Sequence, residues 1–104
     1  MKGTSYMLEN TGIREEVLGE LCDLAKDCRV KQVVLFGSRA RGDYNRTSDI
    51  DLAVSGGDVV RFSLEVEEII STLLSFDVVN LNGTVQEELL RSIGKEGKIL
   101  YEEI

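Results

Sequence analysis

Ten residues separate a Gly-Ser pair, Gly37-Ser38, from an Asp-x-Asp triplet, Asp49-Ile50-Asp51, and that spacing constrains the chain more than any other feature. The pair closes an apolar run, Val33-Val34-Leu35-Phe36, which reads as a short buried strand. The triplet opens a second strand, Asp49-Ile50-Asp51-Leu52-Ala53-Val54. Alternation along a strand sets Asp49 and Asp51 on one face and Ile50, Leu52 and Val54 on the other. Carboxylates side by side repel unless a cation lies between them. Oxygen ligands of this kind suit Mg²⁺, typically held by one or two carboxylates together with substrate phosphates.

The Gly-Ser pair supplies the complement. A glycine at a strand-to-helix turn lets the backbone come close to a ligand. Ser38 is a candidate N-cap for a following turn of helix, and helix starts bind phosphate. Arg39 and Arg41 lie next to it in sequence and add positive charge against a polyphosphate. An anion cradle beside paired carboxylates fits a metal–nucleoside triphosphate.

Around this stretch the chain alternates helix and strand, which predicts a small α/β sheet domain with helices on one face and an open, carboxylate-bearing face opposite. Thr11 caps a predicted helix to about Cys28, with Ile13, Val17, Leu21 and Leu24 at helical spacing and an acidic solvated side. Tyr44 could stack on a base, but the expectation is that it packs over the loop before the second strand. Asp58 caps a further helix with Phe62, Val66, Ile69, Ile70, Leu73 and Leu74 on one broad face. Phe76 to Leu81 reads as a third strand. With Phe76 and Val78 turned to the helices, Asp77 falls on the side of Asp49 and Asp51. Thr84 and Glu87 form a capping box for a last helix ended by Gly94, and Gly97 to Tyr101 is a final extended segment.

At 104 residues the expectation is one domain, 1–104. Twelve basic against nineteen acidic residues leave a net charge of −7, which argues against broad nucleic-acid binding. No membrane span or signal-peptide pattern is visible, so a cytoplasmic location is expected. Cys22 and Cys28 are six apart and read as free thiols. The absence of histidine removes histidine-based nucleophile activation and metal sites.

The run GSRARGDYNRTSDIDLAV, Gly37 to Val54, resembles the minimal nucleotidyltransferases, small members of the DNA polymerase beta-like nucleotidyltransferase superfamily. The Gly-Lys-x-Leu-Tyr-Glu ending, Gly97 to Glu102, is similar too. The resemblance implies a mixed sheet and two Mg²⁺ ions, with Mn²⁺ as an alternative. It implies Asp49, Asp51 and Asp77 as catalytic metal ligands, and Gly37 and Ser38 at the phosphates with Arg39 or Arg41 balancing charge. The implied reaction moves a nucleoside monophosphate, AMP from ATP, to a hydroxyl. No acceptor domain is visible, so the implied acceptor is a partner: a HEPN-domain toxin, modified on a tyrosine, with this chain as antitoxin. The competing expectation is a non-catalytic module that neutralises its partner by covering it. A third is an enzyme acting on a small-molecule hydroxyl. Self-association is left open.

Overall fold

The computed structural model describes residues 11–103. In chain order these form α1 (Glu15–Asp27), β1 (Gln32–Phe36), α2 (Ser38–Arg41), β2 (Ile50–Ser55), α3 (Val59–Ile69), β3 (Phe76–Asn80), α4 (Glu87–Glu96) and β4 (Lys98–Glu102). The strands make one sheet in the order β3-β2-β1-β4. β1 is antiparallel to both β2 and β4, while β2 and β3 run parallel through the α3 crossover, so the sheet is mixed. β1 lies inside the sheet, and Val33 through Phe36 are all buried. Burial on both faces is why its sequence is a continuous apolar run rather than an alternation.

The main core lies under α1 and α3. Val33, Leu35, Ile50, Leu52, Val54 and Phe76 meet Leu21, Leu24, Phe62 and Val66 there. The expected strand faces are therefore the observed ones. The fold class holds, but one helix differs in placement: α4 packs on the other face. There Ile93 and Leu89 meet Val34, Phe36, Ala53 and Val79. The cause is on the strands themselves, since these apolar side chains share the carboxylate face and need cover from water. The open part of that face is thus confined to the end where Asp51 and Asp77 stand.

Several boundaries also differ. α1 starts after Arg14, not at Thr11; the Thr11 hydroxyl instead accepts the Ile13 N–H at 3.3 Å. α3 stops at Ile69, where Ile70 turns to extended backbone and tucks its side chain into the core. Ile69 and Leu73, counted on the buried face by periodicity, are exposed as a result. Thr84 makes no cap; α4 begins after Gln86 with Glu87 and Glu88 in its first turn, which suits the helix dipole. Gly94 lies within α4, and Gly97 closes it, donating to the Ile93 carbonyl at 2.8 Å. Asp58 does cap α3, accepting the Arg61 N–H at 3.0 Å. Both cysteines are free. No helix among the described residues is long and apolar enough to cross a membrane.

Candidate active site

Strand register assembles the site. In the parallel pair Asp51 stands directly opposite Asp77, and in the antiparallel pair it stands opposite Phe36. Neighbours in register share a face, so two carboxylates lie side by side next to the end of β1. Asp49 comes immediately before β2 and is exposed, as is Asp77; Asp51 is half-buried.

Gly37 follows Phe36 and turns over the Asp51 carboxylate. Its backbone is at φ +79°, ψ −157°, a region that is nearly glycine-only. A Cβ built there would overlap the carboxylate oxygen of Asp51 and sit 3.1 Å from its Cγ. Glycine at this position therefore serves two needs: the sharp exit from β1 and the space for Asp51. Gly37, not Ser38, is the N-cap of α2, with no side-chain cap bond; Ser38 is the first residue of that helix and Arg41 the last.

The charges sense one another. Partial burial, then the charge of Asp77, then that of Asp49 hold the Asp51 carboxyl above its ordinary pKa, while Arg41 draws it back. Among the described residues none of the three aspartate carboxylates accepts a hydrogen bond or forms an ion pair. Nor, among those residues, do three or more His, Cys, Asp or Glu side chains converge into an arrangement able to hold a metal by themselves. Asp51 and Asp77 are thus neighbours on one face, with the charge of Asp49 felt from just before the strand, rather than a closed cage. They still fit a divalent cation: the donors are hard oxygens, they lack protein partners, and Mg²⁺ takes its remaining ligands from water and phosphate.

The two arginines part company. Arg41 stays at the surface beside the carboxylates, shared between Asp43 (Nε–Oδ2, 3.2 Å) and Glu96 of α4 (Nη1–Oε1, 3.1 Å). Arg39, read from sequence as a second phosphate cation, is only 2% exposed and turns away into the protein. Its guanidinium donates to the carbonyls of Thr11 (2.9 Å), Ser48 (3.0 Å), Arg46 (3.3 Å) and Asn45 (3.4 Å). The Tyr44 ring stacks on it at 4.8 Å, so Tyr44 packs over the loop as expected. Burial of Arg39 follows from this: five donors in a fixed fork match several backbone acceptors at once. Glu96 and Thr11 were missed in the sequence. Their partners lie 55 and 28 residues away, and no local pattern marks them.

The family described as Polymerase beta, Nucleotidyltransferase matches residues 20–103 of this chain. A Methanocaldococcus jannaschii protein provisionally named a protein adenylyltransferase is 37% identical over 83 residues, covering 70% of this chain and 80% of that protein. Among solved structures, a chain of a toxin–antitoxin crystallised with AMP-PNP superposes with a TM-score of 0.67 at 22% identity, covering 83% of this chain and 73% of that one. A chain of a variant of the toxin–antitoxin MntA-HpeT gives 0.66 at 25% identity with the same coverage. The chain belongs to the polymerase beta nucleotidyltransferase family, among its minimal members.

Proposed function

We propose that this nucleotidyltransferase moves AMP from ATP to a hydroxyl of a partner protein, the hydroxyl oxygen bonding to the α-phosphorus as pyrophosphate leaves, and that the partner is a HEPN-domain toxin modified on tyrosine. The observation that carries the reading is the in-register Asp51–Asp77 pair, with Gly37 against Asp51 and neither carboxylate bonded to a protein group among the described residues. Two similarities support it: the archaeal relative named for protein adenylylation, and the toxin–antitoxin neighbour at 25% identity.

Asp49 and Asp51 would hold the divalent metal that travels with the triphosphate, and Asp77 would join them around a second. The chemistry such metals would supply is neutralisation of phosphate charge and a lowered pKa for the acceptor hydroxyl. The rest is done by the chain. Gly37 keeps open the space beside Asp51 that a side chain would fill, so a phosphate can approach the backbone. Ser38 adds a hydroxyl at the same turn. Arg41 faces the charge that develops on the phosphates, and Asp77, exposed at the strand start, accepts the hydroxyl proton. The acidic aspartate cluster repels a bare triphosphate, so this reading requires metal for nucleotide binding.

Calorimetry of ATP binding with Mg²⁺ and after chelation tests the site. Equal affinity in the two conditions would sink the metal–nucleotide reading. Protection of cells from the partner toxin tests the system: Asp49→Asn/Asp51→Asn should protect poorly. Full protection by that double variant would instead favour neutralisation by simple covering.

A further inference from the structure

We infer that Arg39 is a positioning residue for Asp49, acting through the loop between α2 and β2 rather than on substrate. This rests on the role just proposed for Asp49. The loop from Asp43 to Asp49 has no regular structure and is mostly exposed, yet it must deliver a carboxylate to a defined place. Arg39 supplies the definition. Its Nε–H holds the Ser48 carbonyl, in the peptide unit that leads directly into Asp49, and Nη2 holds the Asn45 and Arg46 carbonyls. The fourth bond, from Nη1 to the Thr11 carbonyl, anchors the guanidinium to the segment before α1. Within the loop, the Ser48 hydroxyl accepts the Asn45 N–H at 2.8 Å and the Asn45 carbonyl accepts the Ser48 N–H at 3.1 Å, so the turn is closed from inside as well.

A second observation points the same way. Gly12 sits against this node at φ +72°, and a Cβ there would come within 2.6 Å of Arg39 Nη1 and 2.8 Å of the Tyr44 ring carbon Cζ. The segment before α1 is therefore fitted closely to the guanidinium and the ring stacked on it. Lysine cannot replace arginine here, because one ammonium on a flexible stem does not span carbonyls on separate segments. Supports behind a metal ligand typically cost about 10–100-fold in metal affinity or activity when removed.

The test compares the wild type with Arg39→Lys and Gly12→Ala by hydrogen exchange and by ATP binding over a Mg²⁺ titration. In both variants the amides of residues 43–49 should exchange at least about tenfold faster, while β1 to β4 keep their protection. Half-saturation in Mg²⁺ should rise about 10–100-fold, and adding Asp49→Asn to Arg39→Lys should cost little more. Three results overturn the inference. One is unchanged exchange in 43–49. Another is a uniform speeding of all segments, which makes Arg39 a fold anchor only. The third is a loss of ATP affinity with 43–49 exchanging at the wild-type rate, which marks a direct phosphate contact. If the wild type binds ATP equally well without metal, the proposed role of Asp49 fails, and the exchange comparison alone then decides whether Arg39 orders the loop.

Discussion

Replacing Gly37 by alanine separates backbone strain from damage to the site. The φ and ψ of Gly37 fall in a region that costs a non-glycine residue about 1–3 kcal/mol. For a domain of this size that lowers Tm by roughly 5 to 20 °C. The new methyl also overlaps the Asp51 carboxylate, so Asp51 must move or the strand end must open. A shift near 1 Å in a reacting geometry can cost about 100-fold in rate. Gly42 is the matched control: it too has positive φ, at +96°, but a Cβ there meets nothing within 4 Å. Gly42→Ala should lose about 1–2 kcal/mol of stability and keep metal–nucleotide binding. Gly37→Ala should lose comparable stability and, at a temperature where it is fully folded, about 100-fold in transfer activity. Urea unfolding gives the first quantity and single-turnover kinetics the second. Equal activity in the two alanine variants would refute the account of Gly37.

Asp51→Asn should stabilise the metal-free protein by about 0.2–1 kcal/mol, because it removes one of two like charges directly opposite each other across strands. The raised folded-state pKa of Asp51 means the folded protein holds that proton more tightly than the unfolded chain, so this contribution to stability is present at low pH and lost as pH rises through the folded pKa. Urea melts should accordingly show the Asp51→Asn advantage at neutral pH and its disappearance in acid. Asp77→Asn should largely spare ATP binding yet abolish transfer; full transfer would remove Asp77 from the site. Phe62→Ala, fully buried between α3 and the sheet, should cost about 3–5 kcal/mol by chemical denaturation without altering ATP binding when folded.

The parts of this protein that were legible in its sequence are those written in local patterns. The apolar run of β1, the alternation in β2 and the inferred sidedness of β3 each follow from side chains pointing to opposite faces. That logic puts Asp77 on the face that carries Asp51, and the register goes further, setting the two directly opposite each other. What escaped depends on distant partners. The final helix has one apolar stripe, and nothing within it says which side of the sheet it will cover; Val34, Phe36 and Ala53 decide that. Arg39 and Arg41 look alike in sequence, two residues apart. One finds four backbone carbonyls and is buried, while the other finds Asp43 and Glu96 and stays beside the carboxylates. The end of α3 was obscured because Leu73 and Leu74 continue a helical apolar pattern beyond the point where Ile70 turns inward.

The most direct measurement is the intact mass of the proposed partner toxin after incubation with this protein, ATP and Mg²⁺. Transfer predicts a gain of one or more adenylyl groups, localised to a tyrosine hydroxyl, that is abolished by Asp49→Asn/Asp51→Asn and leaves the toxin inactive once this protein is removed. A stable complex with unchanged toxin mass, and a toxin that regains activity on separation, would contradict the account.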